Sequence, residues 1–172
     1  MLNPEQEKWI NHLSDTNKIK IVPFDPNSQK EFENIKQLIQ SRFGPTVRVE
    51  HHGASSLGIS GQNEIDIYVP VPANLFNNFI MKLTELFGKP HSHYLLERAR
   101  FIVSDDEKSI DVHLVNKEHS NWLNGEKFEN YLRTHPKTLR EYELLKESGD
   151  GLSTREYYRR KVEFINDVLA KL

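Results

Sequence analysis

The sequence predicts an α/β fold of the α+β kind, with a small mixed β-sheet flanked by helices and a helical carboxy-terminal portion. Three observations carry that expectation. Residues 64–71, 98–103 and 109–115 alternate apolar with polar side chains, the period of a half-buried strand. Segments with apolar residues three and four apart, the period of an amphipathic helix, precede and interrupt those strands. Beyond Asn116 the chain reads as helix to its end. At 172 residues there is room for one domain with a real core. The whole chain, 1–172, is therefore read as a single domain, its sheet-bearing part about 18–116 and its helical part about 117–172.

Pro4 stands where a first helical turn begins, and Trp9, Ile10 and Leu13 follow at helical spacing. Ile19, Ile21 and Val22 read as a short extended segment. After the turn at 25–28, Phe32, Ile35, Leu38, Ile39 and Phe43 form one apolar stripe, and Gly44-Pro45 ends that helix. Residues 46–50 are rich in β-branched side chains and predict a strand leading to a tight turn at Gly53. A helix over about 75–87 buries Leu75, Phe76, Phe79, Ile80, Leu83 and Leu86 and stops at Gly88-Lys89-Pro90. Residues 91–96 alternate as a further strand, and 104–108 form the hairpin turn between the last two, so these strands are expected to be antiparallel. Helices follow around 122–132, 136–146 and 153–172. The last opens on a Ser153-Thr154-Arg155-Glu156 capping box and carries the stripe Tyr158, Val162, Ile165, Leu169 and Leu172.

Composition excludes several classes of function. With no cysteine there is neither a disulfide scaffold, a thiolate zinc site nor a cysteine nucleophile. A net charge of -2 and a pI near 6.5 disfavour a protein that coats nucleic acid. The acidic amino terminus is unlike a signal peptide and no run is long and apolar enough for a bilayer, so a cytoplasmic location without membrane partners is expected.

Chemistry concentrates at 51–71. On the strand at 64–71, Ile65, Ile67, Val69 and Val71 point to one side, and Glu64, Asp66 and Tyr68 to the other. Two carboxylates leaving one face repel each other, and a bound cation relieves that repulsion. Asp111 and His113 alternate in the same way on the strand at 109–115, making Asp111 a third carboxylate that a sheet could bring beside Glu64 and Asp66. Arg98 and Arg100, one strand away, could point at the same acids. Gly53, Ser55 and Ser56 form a turn whose amides and hydroxyls could face a phosphate. Eight histidines raise a zinc reading through His91, His93 and His113, but no recognised ligand spacing is present. His113 is read instead as supporting the carboxylates or facing a substrate.

Several separated segments, in order, resemble the GrpB family: His51-His52-Gly53-Ala54-Ser55-Ser56, Ile65-Asp66-Ile67, Asp111-Val112-His113-Leu114, the run from Phe128 to Pro136, Tyr142 with Lys146, and Tyr157 with Lys161. That family is similar in fold to the polymerase-beta-like nucleotidyltransferases. The resemblance implies catalytic and metal-binding roles for Glu64, Asp66 and Asp111, which would hold Mg2+ or Mn2+. It further implies that Gly53, Ser55, Ser56, Arg133, Lys146 and Lys161 contact nucleotide phosphates. The implied reaction moves a nucleoside monophosphate from a nucleoside triphosphate to an unidentified acceptor. Gln62-Asn63 replace the Lys common before the strand, and Glu129 and Asn130 stand where Arg and Asp are common. Those replacements motivate the alternative, a non-catalytic module that keeps the fold to bind a nucleotide or a protein. Base preference, acceptor and oligomeric state are not encoded in any of these motifs.

Overall fold

The computed structural model describes residues 1–104 and 108–172. By backbone contacts the chain divides into two compact units. A sheet unit comprises Phe24–Ile59 and Asn63–Gly125, and a helical unit comprises Met1–Pro23, Ser60–Gln62 and Glu126–Leu172.

The sheet unit contains helix α2 (Ser28–Phe43), strand β1 (Glu50–His52), the short helix α3 (Gly53–Leu57) and strand β2 (Glu64–Val71). These are followed by helix α4 (Phe76–Phe87) and strands β3 (Ser92–Tyr94), β4 (Arg98–Ser104) and β5 (Ser109–Asn116). Five strands form one sheet in the order β1-β2-β5-β4-β3. All neighbours are antiparallel except β2 and β5, which run parallel. A parallel pair needs a crossover, and α4 with the β3–β4 hairpin supplies it.

The alternation read along β2 is obeyed. Ile65, Ile67 and Val69 are fully buried with Val112 and Leu114 of β5 and Ala99 and Phe101 of β4. Phe32 and Ile39 of α2 and Phe76 and Leu83 of α4 cover that face. Pro70 stands opposite Val115 in the β2–β5 ladder, beyond the end of the β1 pairing at Tyr68.

Several expectations are corrected locally. Residues 46–49 do not join the sheet, and β1 begins at Glu50, so it is Glu50 and the two histidines that are paired with β2. The turn at Gly53 opens directly into α3. The strand expected over 91–96 shortens to β3, where Leu96 turns to φ 52°. Leu38 and Leu75, both assigned inward, are exposed: Leu38 lies off the face that Phe32 and Ile39 share, and Leu75 ends a 3-10 turn before α4 starts. Of the hairpin turn expected over 104–108, residues 105–107 lie outside the described residues.

In the helical unit, α1 (Pro4–Asn11) starts from a capping box, in which Asn3 Oδ1 accepts from the Gln6 amide at 2.9 Å and Gln6 Oε1 from the Asn3 amide at 2.9 Å. Helix α5 (Ser120–Thr134) begins in the sheet unit and continues here, followed by α6 (Pro136–Glu147) and α7 (Thr154–Leu169). Ser153 caps α7 by accepting from the Glu156 amide at 3.2 Å. Trp9 meets Tyr158 edge-on at 5.5 Å, and Arg159 donates to both Glu7 oxygens at 3.0 and 3.1 Å, fastening α1 to α7.

The expected stripe of α7 is only half-buried, and Leu172 is exposed. Tyr157 and Val168 are the fully buried positions, because α1 and α6 each take a side of this helix. The extended segment before Pro23 does not enter the five-stranded sheet: Val22 bridges Gly61, and Ile19 N donates to Leu152 O at 2.9 Å. Among the described residues no helix is long and apolar enough to cross a membrane.

Candidate functional site

The face of the sheet opposite α2 and α4 collects the polar members of the alternation. Parallel pairing sets Asp66 beside Asp111 and Tyr68 beside His113, and antiparallel pairing sets Arg100 beside His113 and His52 beside Asp66. Partners across a ladder point to the same side, so these side chains share one surface. A register irregularity between Ile102 and Ser104 of β4 lies opposite Asp111, a place where bulges commonly re-aim side chains.

Asp66, Asp111 and His113 each bring a ligand-capable atom within 4.8 Å of the other two. His113 Nε2 stands 3.2 Å from Asp66 Oδ1. Arg100 Nη2 donates to Asp111 Oδ2 at 2.8 Å, while Asp111 Oδ1 is buried with no hydrogen-bond partner among the described residues. Burial works against the Arg100 charge, yet the hydrogen bond and the negative field of Asp111, Glu64 and Asp66 raise its pKa above the ordinary value. Glu64 is thus on the face and felt by Arg100, but the close cluster is formed by His113 in its place.

Gly53 closes one side. It adopts φ +78°, and a Cβ built on it would lie 2.6 Å from Asp66 Oδ2. Only glycine lets the backbone pass so near that carboxylate. Behind it, Ser55 Oγ lies 2.9 Å from His51 Nε2, and Ser56 Oγ donates to Gly53 O at 2.9 Å.

An aromatic group borders the carboxylates. The Tyr68 ring stacks on His113 at 4.6 Å and 16°. Trp122 packs against Tyr68 at 5.4 Å and His52 at 5.2 Å. His52 Nε2 also meets Glu50 Oε2 at 2.8 Å. Burial pushes the Glu50 carboxyl up, but His52 and Arg48 together hold it below its usual value. Sequence reasoning did not find this group, although the two-residue spacing of Glu50 and His52 was the available signal once β1 is placed correctly.

The remaining predicted residues fall elsewhere. Arg98 is exposed and stacks over the Tyr94 ring at 4.8 Å, so of the two β4 arginines only Arg100 reaches an acid of the cluster. Arg133, Lys146 and Lys161 belong to the helical unit. There Arg133 Nη2 donates to Glu129 Oε1 at 2.6 Å. The buried Lys146 donates to Tyr157 Oη at 3.3 Å, and Lys161 lies 5.3 Å over the Tyr158 ring. His93 pairs with Ala99 and so takes the face opposite His113, which leaves the three-histidine zinc set unassembled.

The donor set fits a divalent cation. Two carboxylates and an imidazole converge, one carboxylate oxygen is buried without a partner among the described residues, and a glycine leaves free the space beside Asp66 that a Cβ would fill. Fold and face together define the class, a mixed α/β sheet protein with helices on one face and a carboxylate-imidazole cluster on the other. The chain belongs to the GrpB family, whose model, described as GrpB protein, matches residues 18–171. It is similar to the crystal structure of conserved protein GrpB from Enterococcus faecalis, with 18% identity, 88% of this chain and 98% of that chain covered, and a TM-score of 0.68. A more distant similarity is to the Cid1 poly(U) polymerase with magnesium and 3'-dATP, at 12% identity over 89% of this chain and 51% of that chain, with a TM-score of 0.46. No curated protein matches the sequence.

Proposed function

We propose that this chain is a metal-dependent nucleotidyltransferase that moves a nucleoside monophosphate from a nucleoside triphosphate to a hydroxyl or phosphate acceptor. The observation that carries the reading is the side-by-side placement of Asp66 and Asp111 on a parallel strand pair, with the Gly53–Ser56 segment against Asp66. Asp66 and Asp111, with Glu64 on the same face, would hold Mg2+ or Mn2+. Such an ion, when bound, screens the triphosphate and stabilises the leaving pyrophosphate. Gly53 gives the phosphates room to approach, and the Ser55 and Ser56 hydroxyls offer them hydrogen bonds. In the reaction the acceptor oxygen forms a bond to the α-phosphorus, the bond to the bridging oxygen of the pyrophosphate breaks, and the acceptor proton is released to water or a carboxylate.

The Arg100–Asp111 ion pair favours a second reading. A carboxylate already compensated by a guanidinium needs no cation to be stable, which suits a module that binds without turnover. Thermal unfolding against nucleoside triphosphates, with and without divalent ion, tests the first part. At about a hundredfold excess over Kd, binding stabilises by about 2.7 kcal/mol, or roughly 5–10 °C for a chain of this size. Asp66→Asn should abolish the ion-dependent shift. Pyrophosphate release then selects the enzyme, stabilisation without release selects the binding module, and no shift with any nucleotide refutes both nucleotide readings.

A further inference from the structure

We infer that the cation this face takes is a first-row transition ion such as Mn2+ in preference to Mg2+, with the His113 imidazole among its ligands. The inference rests on the metal-dependent reading above and narrows it.

The donor chemistry points this way. Mg2+ takes oxygen ligands and dehydrates reluctantly, so an imidazole displaces one of its waters at little gain. Fe2+ and Zn2+ accept imidazole nitrogen readily, and Mn2+, although it shares the liking of Mg2+ for oxygen, is a transition ion that takes a nitrogen donor beside carboxylates more easily than Mg2+ does. Here the cluster within 4.8 Å is two carboxylates and one imidazole, and the third acid of the face, Glu64, is not in it.

The imidazole is also held in place before any ion arrives. His113 is 7% exposed, and its ring is clamped against Tyr68 at 4.6 Å with only 16° between the planes. Its Nε2 is thereby directed at Asp66 Oδ1, 3.2 Å away. A histidine serving merely as packing on the sheet would not need that nitrogen turned toward the carboxylates.

Arg100 adds a second argument. It occupies Asp111 Oδ2 and leaves the buried Oδ1 without a partner among the described residues, so the carboxylate is oriented while part of its charge is cancelled. A hard ion held mainly by net negative charge loses more from that cancellation than an ion that also bonds a neutral nitrogen donor. Supporting groups behind the ligands tune affinity in this way.

The test uses the full chain stripped of metal with a chelator, then titrated with Mn2+ while the electron paramagnetic resonance of the free aquo ion is followed, with Mg2+ as competitor. One Mn2+ per chain is expected, displaced only when Mg2+ is in at least about tenfold excess. Pulsed spectra of the bound ion in the unmodified protein should carry the nitrogen modulation of a coordinated imidazole. His113→Gln should erase that modulation and weaken Mn2+ binding by about tenfold or more, with Mg2+ binding changed by less than about twofold. Bound Mn2+ without nitrogen modulation, or Mg2+ competing at equal concentration, overturns the inference and leaves the carboxylate metal reading standing. Binding of neither ion overturns both. Because the modulation is read on the unmodified chain, a folding defect in the variant leaves that measurement intact.

Discussion

Replacing Gly53 by alanine tests the geometry of the site more sharply than removing a carboxylate does, and Gly58 provides its control. Both residues are left-handed, at φ +78° and +71°, so either alanine incurs the backbone strain of that region, about 1–2 kcal/mol. They differ in what the new methyl meets. At Gly58 nothing lies within 4 Å, whereas at Gly53 the Cβ would stand 2.6 Å from Asp66 Oδ2 and 3.5 Å from its Cγ. The carboxylate must rotate, at an off-rotamer cost of about 0.5–1.5 kcal/mol, and it surrenders its contact to His113, about 1 kcal/mol. Gly53→Ala should therefore cost about 3 kcal/mol and Gly58→Ala about half of that, a difference of roughly 3–6 °C in Tm. Urea unfolding followed by circular dichroism measures both. Combining Gly53→Ala with Asp66→Ala should recover about 1–2 kcal/mol of the sum of the single costs, since the clash is then gone. Equal costs for the two alanines, or strict additivity in the double variant, would refute the close packing of Gly53 on Asp66.

Other consequences are independent of that pair. Arg100→Gln removes the cation from a carboxylate that is 3% exposed and should destabilise by about 2 kcal/mol; added Mn2+ should then raise the Tm of the variant by more than that of the parent chain, and an equal rise would show that Arg100 and the ion do not share Asp111. Gly149→Ala would put a methyl 2.4 Å from the ring of the fully buried Tyr157 and 3.0 Å from the Lys146 carbonyl, so a loss of about 1–3 kcal/mol by thermal melting is expected. Glu50 is held below its ordinary value of 4.5, so its charged form is favoured by folding and its contribution is present above about that pH. That contribution fades as pH falls through the lowered value. The stability gap between the parent chain and Glu50→Gln should accordingly close on acidification below pH 4.5, and a gap that widened there would reverse the assigned direction.

Part of the site was legible because its pattern is local. Alternation along β2 separates Glu64, Asp66 and Tyr68 from Ile65, Ile67 and Val69 whatever the strand pairs with, since successive side chains leave opposite faces. The same rule placed Asp111 and His113 together on β5, and the Gly53 segment was visible as a turn rich in small residues. Other features escaped because local rules do not reach them. Strand β1 was placed too early because β-branched content at 46–50 is a weaker determinant than the partner that β2 offers to His51 and His52. The stripe of α7 was misjudged because its periodicity does not say how many neighbours the helix has.

The sequence by itself determined the long helices and strands β2, β4 and β5, which face of β2 and β5 is polar, the GrpB resemblance, and the presence of acids on two strands. Tertiary structure alone decided that Asp66 stands beside Asp111 and that His113, 47 positions from Asp66, comes within 3.2 Å of it. It decided too that Arg100 rather than Arg98 reaches the acids, and that Gly53 lies against a carboxylate. The physical reason is one of range. Propensity and periodicity act over a few residues, whereas the register of the parallel β2–β5 pair is set by the crossover through α4 and by how Val69, Leu114 and Phe76 fill one shared core.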